Sequence, residues 1–178
     1  MPPAETRHGD TRRDPAWLLV AAALLLLARV ALGVWEERHV PARANAVHWV
    51  PAEIAPAVAM QTGKPILYEF SADWCGPCQR MQNELFSDER RARALETLVV
   101  PVRVVDRARE EGRNSALVDS LQHACAVEAF PTLAVVSPDG GRRQVTSGFV
   151  NGEQTLQWIA RSAMTVHLGT APNGVRVR

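Results

Sequence analysis

Apolar residues are spread unevenly along the chain. The stretch WLLVAAALLLLARVALGVW, Trp17 to Trp35, is 19 residues with a single charge, Arg29. It is apolar all round, unlike the one-sided stripe of a helix on a soluble domain. At about 1.5 Å per residue such a helix covers roughly 27 Å, close to the hydrocarbon thickness of a bilayer. A tryptophan stands at each end, and Arg29 lies in the last third, where a long side chain reaches the interface. We read 17–35 as an uncleaved single-pass transmembrane helix. The alternative is a cleaved signal peptide, with an apolar core over 17–28 and a small-x-small site at Ala31-Leu32-Gly33. Arg7, Arg12 and Arg13 before the segment, against Arg38 and Arg43 after it, give the N-terminus only a slight inward bias.

Residues 36–46 lack periodicity and read as a linker, which extends no further than ~40 Å and keeps the domain beyond it near the bilayer. From 47 to 164 two periods alternate. A helix is predicted over 51–65, with Pro51 in its first turn, Ile54, Val58 and Met60 at near-helical spacing, and Thr62-Gly63 at its end. Ile66 to Phe70 reads as a buried strand, and a helix runs from Cys75 to about Ala94 with Met81, Leu85 and Phe86 on one face. Leu98 to Val105 is a second strand, in which Pro101 marks an irregularity or an edge. Asn114 caps a helix to Val127, carrying Leu117, Val118, Leu121 and Ala124. TLAVVS and RQVTSGF are strands joined by the turn SPDGG. A last helix spans 151–164 with Leu156, Trp158 and Ile159 inward, and 165–178 reads as a flexible tail, like 1–16 at the other end. Strands alternating with helices and then a hairpin predict an α/β domain: a central mixed sheet with helices on both faces, preceded by the one membrane helix.

Composition narrows the function. With 178 residues, 47% hydrophobic and 22% charged, the chain holds one domain with a core plus extra segments. A net charge of +1 gives no steering toward nucleic acid. Three cysteines, an odd count, do not make a multi-bridge scaffold, and the five histidines are scattered.

Two of the cysteines stand in SADWCGPCQRM. Cys75 falls where a strand runs abruptly into a helix. Unpaired N–H groups and the positive dipole end there favour a thiolate, which a nucleophilic sulfur needs together with exposure. Cys78, one turn on, is shielded and near enough to close a disulfide, and Pro77 is tolerated in a first turn. Zinc needs four ligands; this pair supplies two, and His123 and Cys125, two apart on a helix, point to different sides. A structural staple closing so short a loop removes little chain entropy. The residues therefore point to thiol–disulfide redox chemistry, with the Cys75–Cys78 pair as the redox centre and no metal or separate cofactor.

WCGPC after an apolar strand, followed by Phe130-Pro131-Thr132 before another, resembles the thioredoxin family over Ile66 to about Ser162. ADWC and the FSD after the active helix, with the lead-in VHWVPAEIAPAVAMQTGKPIL, resemble more narrowly the C-terminal domain of the thiol:disulfide interchange protein DsbD and its bacterial relatives. The resemblance implies that Cys75 attacks and Cys78 resolves. It implies a cis bond before Pro131, with Phe130 beside Cys75 to pair with an extended substrate. It makes Glu69 the buried acid that handles the proton of Cys78, although the family more often has aspartate there. From the residues alone, Glu69 is a carboxylate in an apolar strand, turned outward or buried with a raised pKa. Gly148 matches a glycine beside the substrate groove, and a strand bulge is the competing reading. Trp74 would shield the sulfurs or simply fill space. Together with Gly76 and Pro77 these residues form the expected substrate-binding surface.

The sequence departs from plain thioredoxin in a longer stretch between Cys75 and Pro131, with the surplus near Asp106 to Ser115, a charged loop. Cys125 reads as a buried thiol. The expected activity is reduction of disulfides in extracytoplasmic proteins by a monomeric domain, in the bacterial periplasm at the inner membrane. Its electrons would come from a membrane carrier. Signal cleavage would leave the domain soluble in the periplasm. The alternatives are an oxidase, an isomerase, a cytochrome-maturation thioredoxin, or a non-catalytic binding module. Gly76-Pro77 resembles reducing members, but a dipeptide is one influence among several on potential.

Overall fold

The computed structural model describes residues 16–38 and 44–168. The N-terminal tail to 15, linker residues 39–43 and the tail from 169 lie outside the described residues. Helix α1, Ala16–Arg38, belongs to one unit and the chain from Val40 forms a second. Of α1's described side chains, Trp17 to Gly33, all but Ala21 are exposed. Among the described residues, no helix is long and apolar enough to cross a membrane. The expected helix over 17–35 is thus present, but the transmembrane span read there is not shown.

In the second unit, four strands form one sheet in the order β2-β1-β3-β4: β1 Ile66–Ala72, β2 Val100–Asp106, β3 Thr132–Val136 and β4 Arg143–Ser147. β1 pairs parallel with β2 and antiparallel with β3, and β4 lies antiparallel beside β3. β1 is buried along its whole length, as expected of a central strand covered on both faces. β2 is an edge, which is where Pro101 can sit without breaking a ladder. The lead-in partly covers that edge, since Val50 N–H donates to the Pro101 carbonyl at 2.8 Å.

The helices form two layers. Helix α2, Ala55–Thr62, and α6, Ala116–Ala124, pack on the face carrying Ile66, Tyr68, Phe70, Val102 and Ala134. Helices α3 (Gly76–Met81), α4 (Glu89–Leu98) and α7 (Gly152–Leu168) cover the face carrying Leu67, Leu133 and Val135. Met81, Leu85, Phe86, Leu95 and Ile159 fill that layer.

Several boundaries differ from the sequence reading. α2 begins at Ala55 with Pro56 in its first turn, so Pro56, not Pro51, is the starting proline. Its buried face is Ala55 and Ala59, small residues suited to close approach to the sheet, while Ile54 is 52% exposed and Met60 also faces outward. The helix expected from Cys75 to Ala94 is three pieces: α3, a π-helical turn Gln82–Phe86, and α4, which restarts because Asp88 caps it by accepting the Arg91 N–H at 2.9 Å. Ser115 rather than Asn114 caps α6, accepting from Val118. One further turn, α5 Ala108–Glu111, stands in the charged loop. The hairpin strand β4 ends at Ser147. α7 continues beyond Met164 to Leu168, so the expected tail begins inside a helix. At its start an ideal Cβ on Gly152 would lie 2.8 Å from the Glu84 carbonyl oxygen, so the π-turn and α7 meet backbone to backbone.

Candidate active site

β1 delivers the chain to the site, and the turn Ala72–Cys75 closes with the Cys75 N–H on the Ala72 carbonyl at 3.0 Å. Cys75 is the N-cap of α3, with extended backbone, and its Sγ accepts the Cys78 N–H at 3.2 Å. Pro77 sits in the first turn, where a missing N–H costs nothing. The two sulfurs are bonded at 2.08 Å, with Cα atoms 5.2 Å apart. A sulfur placed on the free N–H groups of a helix start is one whose anion those groups stabilise.

Exposure corrects one expectation. In this disulfide form Cys75 is only 3% exposed. Each sulfur covers part of the other, and Phe130 packs against the cluster that the two cysteines form with Ala72. Trp74, 49% exposed, stands edge-on to Phe130 with ring centroids 6.0 Å apart. The sulfurs are therefore buried beside Phe130 and not on an open surface, and Trp74 reaches that ring from outside.

The Phe130–Pro131 bond is cis. The Pro131 carbonyl accepts the Gly148 N–H at 2.7 Å, which ties the loop after β4 to the proline. Gly148 has φ +88°, a conformation that favours glycine, and a Cβ there would meet nothing within 4 Å. Backbone conformation therefore accounts for this glycine, and the space above it is open.

Glu69 is buried at 1% exposure on the α3–α7 face of the sheet. Arg103, its register partner on β2, donates Nε–H to Glu69 Oε2 at 2.8 Å, and a second guanidinium nitrogen donates to Gln82 Oε1. The guanidinium stacks 4.3 Å from the ring centre of Trp49 and 5.4 Å from that of Phe86. Burial pushes the Glu69 carboxyl above the ordinary glutamate range; the Arg103 charge and hydrogen bonds from Arg103 and Ser71 pull the other way without cancelling it. Of the two sequence readings, outward or buried with a raised pKa, the second holds. A cleft of ≈ 230 Å³ is lined by Glu69, Ser71, Cys78, Gln82 and Arg103, among others, so Glu69 and the inner cysteine border one cavity.

Sequence reasoning missed Arg103, although it is the one basic residue of β2 and stands in the middle of an apolar run, and it missed the π-turn that brings in Gln82. Cys125 is buried and free in the other layer, beside Tyr68, where burial raises its thiol pKa. The sheet therefore separates it from Glu69.

A mixed sheet between helical layers, a disulfide-bonded cysteine pair at the start of a helix and a cis-proline loop together define a dithiol–disulfide domain. The chain belongs to the thioredoxin-like domain family, whose profile matches residues 53–163. It is similar to the thiol:disulfide interchange protein DsbD of Yersinia enterocolitica, 29% identical over 151 residues, covering 80% of this chain and 25% of that protein. It thus spans about a quarter of the length of that relative. A thiol:disulfide interchange protein TxlA homolog of Synechocystis is 35% identical over 86 residues, covering 48% of this chain and 41% of its own. Two solved structures share the fold. A DsbH oxidoreductase superposes with TM-score 0.59 at 19% identity, over 69% of this chain and 88% of its own. The oxidised C-terminal domain of Neisseria meningitidis DsbD gives 0.51 at 21% identity, over 62% and 90%.

Proposed function

We propose that this domain reduces disulfides of extracytoplasmic proteins, using the Cys75–Cys78 pair as its redox centre. The class is that of a thiol–disulfide oxidoreductase. The observation that carries the reading is the closed Cys75–Cys78 bond at the start of α3, with the Cys75 sulfur on the Cys78 N–H.

In the reduced form the Cys75 thiolate attacks one sulfur of a client disulfide. The client's S–S bond breaks, its other sulfur leaves as thiolate and takes a proton, and a mixed disulfide joins Cys75 to the client. Cys78 then gives its proton to the Glu69 carboxylate through the shared cleft and attacks Cys75 Sγ. The second client sulfur leaves, two electrons have passed to the client, and the pair is oxidised. A carboxyl whose pKa lies above the ordinary range is a better base toward a thiol than a free glutamate, which supports this role for Glu69. Trp74, Gly76, Pro77, Phe130, Pro131 and Gly148 form the surface on which the client lies. No metal or separate cofactor takes part, and the domain acts as a monomer.

The periplasmic setting, attachment to the inner membrane through 17–35 and a membrane electron donor belong to the same proposal. Their support is the sequence, a helix with exposed apolar side chains ahead of a redox domain. Insulin reduction with dithiothreitol as donor tests the activity: wild type should precipitate the insulin B chain and Cys75→Ser should not. Equal rates for the two would leave only a binding module.

A further inference from the structure

The charged insertion is built as an arm and aimed at the site. Asp106, the last residue of β2, accepts from Asn114 Nδ2 at 2.7 Å, Gln122 Nε2 at 2.8 Å and the Ala108 N–H at 3.1 Å. Asn114 in turn accepts the Arg107 N–H at 2.7 Å, closing the loop on itself. The arm is thereby braced against α6 through Gln122.

Two arginines reach from it to the residues just ahead of Cys75. Arg107 lies 3.4 Å from Asp73 and 3.8 Å from Glu111, so its charge is matched. Arg109 sits 5.5 Å from the ring centre of Trp74. It is exposed, and among the described residues no carboxylate stands within ion-pairing distance of it. A guanidinium over an indole face still has its planar fork of donors free for a carboxylate.

We propose that Arg109 is a specificity-determining residue. It receives a carboxylate of the client beside the client's reactive cysteine, as the extended segment crosses Trp74. The inference rests on the oxidoreductase reading above and names the clients that reading leaves open: those with an acidic residue flanking the disulfide. Arg107 stands between Asp73 and Glu111 and offsets one of these two charges, so the repulsion of an acidic client by Asp73 is reduced, and Arg109 is left to meet the client. Glu110 and Glu111 share the arm, and Glu111 is held by Arg107.

The test uses the full chain and two disulfide peptides that differ only in glutamate or lysine beside one cysteine. KM and kcat are measured for each. The glutamate peptide should have the lower KM by about two- to fivefold, the range of an exposed ion pair, with kcat alike. The difference should shrink as salt is raised. Arg109→Lys should keep the preference and Arg109→Glu should reverse it. Equal KM values in wild type, or a preference that survives Arg109→Glu unchanged, overturns the inference while the oxidoreductase reading stands. If neither peptide is reduced, that reading falls and the inference with it.

Discussion

Arg103 and Glu69 face each other across the parallel β1–β2 pair with Nε and Oε2 2.8 Å apart, and both line the cleft that Cys78 also lines. A charge pair in an apolar sheet costs desolvation that its own attraction only partly returns. Here it sits where the proposed resolving step needs a proton acceptor.

Its first consequence is a pH dependence of stability. Burial raises the Glu69 pKa in the folded state above its ordinary value of 4.5. The folded protein then holds that proton more tightly than the unfolded chain does. The resulting stabilisation is complete below the unfolded pKa and is lost as pH rises through the folded one. Glu69→Gln lacks this loss. Denaturant unfolding from about pH 4 to 8 should show the stability of Glu69→Gln rising relative to wild type as pH increases through that window. A constant difference would contradict the raised pKa.

Removing the arginine acts on the same carboxyl from the other side. Arg103→Met deletes the charge that lowers the Glu69 pKa, so the acidic limb of the pH–rate profile for client release should move to higher pH. A cost of roughly 1–3 kcal/mol in stability is expected, below that of a fully buried pair because the Arg103 side chain is 26% exposed. An unmoved limb would separate Arg103 from the chemistry.

The two cysteines should fail differently. Cys75→Ser should reduce no disulfide and form no adduct. Cys78→Ser should make the mixed disulfide and stop there, accumulating a covalent client complex on non-reducing gels. The reverse pattern would exchange the two roles.

Cys75 is buried beside Phe130, whose ring Trp74 meets edge-on. In the reduced protein at neutral pH, iodoacetamide should label Cys75 and spare Cys78 and the buried Cys125. Trp74→Ala should speed the labelling several-fold by removing the outer ring. Mass spectrometry of the tryptic peptides reads both. A Cys75 that stays unlabelled in wild type and in Trp74→Ala would falsify the proposed nucleophile.

Gly152→Ala tests the packing behind the site. Its Cβ would lie 2.8 Å from the Glu84 carbonyl, which is backbone and cannot rotate away. Overpacking of this kind costs about 1–3 kcal/mol. The melting temperature should fall accordingly, and an unchanged value would mean that the π-turn yields.

Periodicity and punctuation determined much of this protein by themselves. The succession of elements and the two-sided sheet follow from where apolar residues recur, because strands and helices bury them with different periods. Cys75-Gly76-Pro77-Cys78 at a strand-to-helix junction pointed to redox chemistry, because this spacing lets the two sulfurs meet while the chain offers no second pair to complete a metal site. Local caps were legible only in part: Asp88 carries a restart signal inside an otherwise helical run, and the choice between Asn114 and Ser115 depended on Asp106, which claims the Asn114 side chain. What only the tertiary structure decided lies between elements. Strand register put Arg103 opposite Glu69, the π-turn carried Gln82 to the pair, and the arm after β2 set Arg109 on Trp74. A one-residue slip of register would send Arg103 to the other face of the sheet, and no local pattern in the chain records which alignment prevails.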